Sequence, residues 1–213
     1  MTNVEFIAWT GPGSSECPCG WRDQYAAKTR HAHWHLAWAV GVAVPASLTW
    51  PEEKAIAVVR TTSPVAWRRI AYDLARLGQR ENHYDFPSWE PPRGRGQRDE
   101  YNTRAFCHRG ANYRGDAAAV GYIAVADLPT HGRWDFLQRE VPRGPDNRPR
   151  PAVTMAWTAF HWRRRGISRA LVEAAAQHAG VGVGDLAWCG PFSEAGVALA
   201  RSFADPDGQV WVA

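Results

Sequence analysis

Cysteine and histidine residues near the amino terminus stand at a spacing that suits a metal ion. Cys17 and Cys19 are separated by one residue, and His31 and His35 follow, four residues apart. Residues four apart lie on one face of a helix, and tetrahedral zinc takes four sulfur and nitrogen donors of this kind. We therefore predict a structural zinc site, because a closed set of four ligands leaves no position for a substrate. His33 competes as a ligand if this segment is extended.

The cysteines do not predict a disulfide. A bond between Cys17 and Cys19 would be strained, and a cytoplasmic chain disfavours it. Cys107 and Cys189 stand alone in the sequence, and no histidine partner is placed for either. We interpret both as small buried residues rather than nucleophiles.

A second candidate site is the stretch RRRGIS, residues 163–168, which precedes an alanine-rich segment typical of a helix. The start of a helix has unpaired N–H groups and the positive end of the dipole, so it binds anions. Gly166 lets a ligand approach the backbone, Ser168 can donate a hydrogen bond, and the arginines add charge. This pattern predicts a diphosphate site, and an exposed basic loop is the alternative.

Apolar periodicity places strands and helices around these two groups. We predict strands at 55–60, 118–128, 153–160, 185–190 and 208–213. We predict helices at 63–78, with Ser63 as the cap and Gly78 at the end, at 168–180 and at 193–203. The segments 85–104 and 139–151, rich in Pro, Gly and charge, are predicted to be a loop insertion and a flexible link. Strands and helices that alternate in the last hundred residues indicate a mixed α/β fold.

The composition of the chain limits the number of domains, the kinds of partner and the location that we expect. The chain has 213 residues, of which 45% are hydrophobic and 12% aromatic, which is typical of a folded protein of one or two domains. The net charge of +4 is mild, and a GC-rich genome explains the preference for arginine, so charge alone does not indicate nucleic-acid binding. Neither a membrane-spanning run nor a signal peptide is evident. We expect a cytoplasmic protein with no membrane partner.

The motifs together resemble the sister-chromatid cohesion acetyltransferases, which join a small zinc finger with two cysteines and two histidines to a GNAT domain. CPCGW and HAHWHLAWAVGV resemble the finger, and AWTAFHWRRRGISRALVEA resembles the strand, cofactor turn and helix. WCGPFSEAGVALARSF resembles the Phe-Ser-Asp segment and the following helix, and FCHRGANYRGDAAAVGYIAV resembles the preceding pair of strands. The resemblance covers about residues 15–60 and 105–213.

The resemblance implies an α/β (α+β) GNAT acyltransferase fold, a mixed central sheet flanked by helices. It divides the chain into a zinc-finger-like segment at 1–45 and an acetyltransferase domain at 46–213. The implied activity is transfer of an acetyl group from acetyl-CoA to a lysine amine of a protein. The acidic residues and the serine of the family take the positions Glu173, Glu194 and Ser193. The implied cofactor-binding residues are Ala156, Trp157, Thr158, Arg163, Arg164, Arg165, Gly166, Ile167, Ser168 and Arg169.

The sequence departs from the family pattern at three places, and two other functions stay open. Glu194 replaces an aspartate of the family, and the loop after it is shorter than in the family. One residue separates Cys17 from Cys19, where the family has two. A GNAT enzyme that acetylates a small amine is one alternative. A zinc module that binds nucleic acid or a protein without catalysis is the other. The apolar segment HAHWHLAWAV has no base-reading side chains, so nucleic acid is a possible partner that the sequence does not favour.

Overall fold

The structure is a computed structural model that describes residues 17–21, 28–51, 55–85, 88–90, 99–136, 148–190 and 192–213. The helices within these ranges are α1 (Lys28–Val40), α2 (Val65–Glu81), α3 (Ile167–Ala179) and α4 (Glu194–Arg201). The strands are β1 (Val42–Ala43), β2 (Ile56–Arg60), β3 (Arg104–Ala111), β4 (Ala117–Pro129), β5 (Gly132–Asp135), β6 (Pro149–Thr158), β7 (Ala187–Trp188) and β8 (Gln209–Val212). Short 3₁₀ turns lie at Phe160–Trp162 and Val183–Asp185.

One mixed sheet forms the centre of the molecule, in the order β2-β3-β4-β6-β7-β8-β5, with β1 paired to β4 beyond the end of β6. The pairs from β2 to β6 are antiparallel, and β6-β7 and β7-β8 are parallel. Residues 118–126 of β4 are buried on both faces, as expected for a central strand covered by helices. Helix α2 packs on one face of β4 and β6, and α3 packs against β3, β4 and β6. The predicted mixed sheet flanked by helices is confirmed.

Helix α2 differs from its prediction at both ends. Ser63 does not cap it, because the Ser63 hydroxyl accepts a hydrogen bond from Arg60 N at 2.9 Å and closes the turn after β2. Gly78 does not end the helix, which continues to Glu81. A Cβ on Gly78 would lie 2.8 Å from Met155 Sδ, so this glycine lets the helix approach the sheet closely. The prediction places both residues at helix ends, whereas in the structure Ser63 closes a turn and Gly78 packs against the sheet.

Strand β6 begins earlier than predicted. The flexible link at 139–151 is wrong for residues 149–151, which pair with β4, whereas residues 139–147 lie outside the described part of the chain. Pro151 pairs with Asp127, whose own N–H points to the opposite side of β4 and binds Tyr101 O at 2.7 Å. A proline is tolerated here because this position needs no N–H for the ladder. The strand predicted at 185–190 is reduced to two paired residues, and β5 was not predicted.

The amino-terminal segment shares the core of the rest. Cys19, Trp38 and Val40 belong to the same hydrophobic cluster as the sheet and α2. The predicted boundary at residue 45 stays a prediction, as does the extent of the insertion at 85–104, of which residues 86–87 and 91–98 lie outside the described ranges. None of the helices in the described ranges combines the length and apolar character that a bilayer crossing needs.

Candidate functional site

The four predicted metal ligands converge at the amino-terminal end of α1. Their donor atoms all lie within 4.8 Å of one another. Cys17 Sγ is 3.4 Å from His35 Nδ1, and Cys19 Sγ is 3.4 Å from His31 Nε2. Zinc–sulfur and zinc–nitrogen bonds at a tetrahedral angle place the two donor atoms about 3.5 Å apart. The cluster therefore has the donor set and the dimensions of a tetrahedral zinc site.

A tight turn explains how two cysteines with a single residue between them reach one point. Gly20 has φ +75°, a left-handed conformation that favours glycine, and its N–H binds Cys17 O at 2.8 Å. This turn directs both sulfur atoms toward α1. His33 is exposed and lies outside the group of donor atoms, so it does not compete with His31 and His35.

Burial shifts the pKa values of the cluster in two directions, which have opposite effects on metal binding. Burial lowers the pKa of His31 and of His35, and the nearby His31 and His161 lower the pKa of His35 further. Both imidazoles are thus neutral near pH 7, which is the form that binds a metal. Burial raises the pKa of the Cys19 thiol to about 12 in the metal-free chain. A metal would have to displace that proton on binding.

The second site is the place where β6 and β7 part. Their parallel pairing covers Ala152↔Ala187 and Val153↔Trp188, followed by one bond from Cys189 N to Val153 O at 2.9 Å. Strand β6 continues five residues beyond Val153 to Thr158. Ala159 donates its N–H to Val120 O on β4, so by alternation Ala156 and Thr158 direct their backbone groups away from β4. The Ala156 N–H and C=O therefore border the open side beyond the end of β7.

The start of α3 lies beside this opening. Gly166 is the N-cap residue with φ +76°, and none of the side chains that the structure describes caps the helix. The first helical bond runs from Ala170 N to Gly166 O at 3.0 Å. The N–H groups before Ala170, of Ile167, Ser168 and Arg169, thus belong to the helix start, where anions bind. A Cβ on Gly166 would meet no atom within 4 Å, so the backbone at this corner is open to a ligand.

The arginines of the turn point in different directions. Arg163 turns toward the protein, where its Nε donates to Thr158 O at 3.0 Å and its guanidinium pairs with Glu81. Arg164 is exposed and has φ +63°, and Arg165 is exposed with its guanidinium 4.8 Å from the Trp162 ring. Arg169 pairs with Glu173 at 3.3 Å along the helix. Arg164 and Arg165 are therefore exposed, and Arg169 is exposed but paired with Glu173.

The other predicted cofactor residues act through the backbone or hold the turn in place. Trp157 is buried and donates its indole N–H to Glu81 Oε2 at 2.7 Å. Ile167 is buried against β4. The hydroxyls of Thr158 and Ser168 are 3.0 Å apart and join the end of β6 to the first turn of α3.

Within the described part of the chain, no hydrogen bond or ion pair joins the three predicted catalytic residues to one another. Glu173 is exposed on α3 and engaged by Arg169. Ser193 is the N-cap of α4, and its hydroxyl accepts a hydrogen bond from Gly196 N at 3.2 Å. Glu194 is exposed in the first turn of α4, six residues after the end of β7. Their catalytic roles stay predictions.

Sequence reasoning missed Glu81 and Trp38. Glu81 joins Trp157 of β6 to Arg163 of the turn, and Trp38 of α1 stacks on Phe160 at 4.8 Å. The partners of Glu81 lie 76 and 82 residues away in the chain, so no local spacing reveals them.

Comparisons with known proteins agree with this geometry. No family model and no curated protein matches the chain. The acetyltransferase domain of xEco2 bound to a K105-CoA conjugate superposes with a TM-score of 0.52 at 15% identity, covering 74% of this chain and 91% of that one. Another structure of the xEco2 acetyltransferase domain gives 0.53 at 13% identity, covering 82% and 96%. The chain has the GNAT acyltransferase fold. The resemblance inferred from the sequence is thus confirmed as a likeness of fold to a cohesion acetyltransferase domain.

One further solved structure is more distant. The ribosomal-protein-alanine N-acetyltransferase from Brucella melitensis biovar Abortus 2308 has a TM-score of 0.38 at 17% identity, covering 70% of this chain and 90% of that one.

Proposed function

We propose that this protein is an acetyl-CoA-dependent N-acetyltransferase that acts on a lysine amine of a protein. The proposal rests on one arrangement: β6 and β7 separate beside the start of α3. That helix begins at Gly166, and none of the described side chains caps it. An extended chain with a diphosphate at one end needs both features, a free strand edge and an anion site. The likeness of fold to the xEco2 domain, whose structure holds a K105-CoA conjugate, supports the same assignment.

In this proposal the donor lies along β6. The N–H groups of Ile167, Ser168 and Arg169 hold the diphosphate, and Arg164 and Arg165 supply charge at its outer side. The amide groups of the pantetheine arm pair with the Ala156 N–H and C=O, as an added strand would. Arg163 contributes its backbone to the turn while its side chain holds the turn against Glu81.

The reaction needs a neutral amine and a polarised thioester. A free lysine amine has a pKa of about 10.4, so a base must remove one proton before attack. The amine nitrogen then forms a bond to the acetyl carbonyl carbon and the carbon–sulfur bond breaks. The nitrogen loses its extra proton to become the amide, and the CoA thiolate takes up a proton to leave as the free thiol. A backbone N–H of β6 at the opening polarises the carbonyl oxygen.

Glu194 is our choice for the general base. It follows the end of β7 by a short segment and forms no ion pair with another residue of the described ranges, whereas Glu173 pairs with Arg169. We expect Glu194→Gln to lower kcat about 100-fold, within the range for loss of a general base. Glu173→Gln is the matched variant and should lower kcat much less. Equal losses would contradict this choice.

The Cys17, Cys19, His31 and His35 cluster would hold a zinc ion in a structural role. Four protein ligands close the coordination sphere, so the ion supplies folding energy to the amino-terminal segment and takes no part in acyl transfer.

Isothermal titration calorimetry with acetyl-CoA tests the donor site. The wild-type protein should bind, and Gly166→Trp should not, because the indole fills the open corner at the helix start. Gly184→Trp is the matched control, since Gly184 also has open space around it and lies beyond the far end of α3. Failure of the wild-type protein to bind would overturn the proposed function.

The acceptor is tested by release of free CoA thiol. We expect release with a lysine-rich peptide and none with a small diamine at the same amine concentration. Release with the diamine alone would contradict the protein acceptor and favour an enzyme that acetylates small amines.

A further inference from the structure

The last turn of α2 lies between the Cys/His cluster and the cofactor turn, which we define as residues 163–166. Glu81 faces the cofactor turn, accepting a hydrogen bond from the Trp157 indole at 2.7 Å and pairing with the Arg163 guanidinium. The Glu81 side chain is 17% exposed and the Arg163 side chain is 37% exposed, so water screens this pair only in part. Arg163 in turn donates to Thr158 O at 3.0 Å. One carboxylate thus holds both the end of β6 and the beginning of the cofactor turn.

The neighbouring residue, Arg80, faces the opposite way, toward the cluster. Its guanidinium carbon lies 4.6 Å from the ring of Trp21 and 4.6 Å from the ring of Trp34. Trp21 follows the cysteine turn, and Trp34 lies on α1 between the two histidine ligands, where its indole donates to Cys19 O at 3.1 Å. Arg80 is therefore held between the two segments that a metal would bring together.

Backbone packing strengthens this connection. A Cβ on Gly20 would overlap the Arg80 carbonyl group, so the cysteine turn rests directly on the end of α2. A second route runs along α1, where Trp38 stacks on Phe160 and the Arg163 guanidinium lies 5.8 Å from the Trp38 ring. The metal cluster and the cofactor turn are thus joined through packed rings and the half-buried ion pair of Glu81 and Arg163.

We propose that Glu81 is a positioning residue for the cofactor turn, and that an ordered Cys/His cluster acts on acetyl-CoA binding through the Arg80–Glu81 end of α2. The inference rests on the proposed function. Without the metal, Trp21 and Trp34 no longer enclose Arg80, and the last turn of α2 loses its outer support. Glu81 then holds Arg163 less firmly, and the helix start that binds the diphosphate is less well ordered. Metal and CoA binding are coupled, and each should raise the affinity for the other.

The first experiment measures CoA affinity by calorimetry for zinc-loaded variants. Glu81→Gln keeps an acceptor for Trp157 but removes the charge that binds Arg163, and we expect about a 10-fold weaker affinity, typical of coupling between sites. Glu81→Asp keeps the charge and should recover part of the loss. Asp207→Asn, an exposed acid far along the chain, is the matched control and should not change the affinity. An unchanged affinity for Glu81→Gln would overturn the positioning role.

The second experiment tests the connection to the cluster with hydrogen exchange and calorimetry. Chelation of the wild-type metal should speed exchange in residues 79–84 and 159–167, leave the β3–β4 hairpin protected, and weaken CoA binding. In Arg80→Ala the CoA affinity should be low with or without zinc, whereas Arg69→Ala, exposed on the same helix, should behave as wild type. If chelation leaves both exchange and CoA affinity unchanged, the connection is wrong.

The outcomes separate the two proposals. If the wild-type protein binds no acetyl-CoA, the proposed function fails, and the exchange measurement alone still reports whether the cluster orders residues 159–167. If the wild-type protein binds acetyl-CoA but neither Glu81 nor Arg80 variants differ from it, only the further inference fails.

Discussion

Gly121 of β4 lies directly under Ile167, the first residue of α3. A Cβ at position 121 would overlap Ile167 Cγ2 and would come within 3.2 Å of His108 Cβ and Leu171 Cδ1. The absence of a side chain at Gly121 therefore sets how closely the start of α3 approaches the sheet, and with it the position of the helix N–H groups beside β6.

Gly121→Ala should destabilise the fold by about 1–3 kcal/mol, the usual cost of overpacking a core, and should also weaken acetyl-CoA binding. Urea denaturation measures the first effect and calorimetry the second. Ile167→Ala in the same chain should relieve the overlap, so the double variant should lose less stability than the sum of the two single variants. Gly184→Ala, with open space around it, is the control. Additive losses would contradict a direct contact.

The geometry of the Cys/His cluster leads to a prediction about how much zinc each variant binds. Cys17→Ala should lower bound zinc, measured by atomic emission on protein dialysed against trace zinc, because three donors hold the ion less tightly than four. His33→Ala should retain full zinc content, because His33 lies outside the donor group. Zinc that is lost equally in both variants would argue against the four ligands assigned here.

We predict that the free energy of unfolding depends on the ion pair of the buried Arg104 at the start of β3. Arg104 is 7% exposed and pairs with Asp127, which also accepts a hydrogen bond from Asn102 at 2.8 Å. Asp127→Asn leaves the guanidinium without its charged partner, and we expect a loss of about 2 kcal/mol in the free energy of unfolding. Asp207→Asn, which removes an exposed charge, should change it by less than about 0.5 kcal/mol. Equal effects would mean that the ion pair contributes nothing.

The lowered pKa of His178 leads us to expect that the free energy of unfolding depends on pH, and the titration can be followed at this one side chain. Burial, Arg60 and Arg104 lower its pKa from the ordinary 6.5. Arg60 Nη2 lies 3.1 Å from His178 Nε2, so that nitrogen must be the unprotonated acceptor. Because the unfolded chain binds this proton more tightly, His178 reduces the free energy of unfolding as pH falls through 6.5 toward the lowered pKa, by a small amount at this exposed position.

Nuclear magnetic resonance titration of the His178 ring measures this directly. The pKa should lie below 6.5 in the wild-type protein and should rise in Arg60→Ala, which removes the facing cation. Arg69→Ala keeps the Arg60 contact and should leave the pKa of His178 unchanged. A titration that is identical in wild type and Arg60→Ala would show that Arg60 has no influence on this ring.

Local sequence patterns predicted which helices and strands form better than they predicted the residues at which each begins and ends. The helical spacing of Trp67, Ile70, Ala71, Leu74 and Leu77 predicts helix α2; the last four are buried in the structure and Trp67 is half-buried. Its limits were misplaced because Ser63 and Gly78 have uses other than capping, and those uses depend on Arg60 and on the sheet. The prediction starts strand β6 four residues too late because Pro149 and Pro151 are typical of a loop in the sequence, although strand pairing leaves their missing N–H without consequence.

The sequence by itself determined the Cys/His cluster that could hold a metal and the glycine at the start of α3, since both depend on residues close together in the chain. A histidine pair four residues apart on a helix and a glycine with positive φ before a helix are local features that spacing reports. The tertiary structure alone decided where β6 and β7 part, that Arg163 turns inward to Glu81, and that Arg80 lies between Trp21 and Trp34. Those relationships join residues far apart in the chain, and only the packing of α1 and α2 against the sheet brings them together.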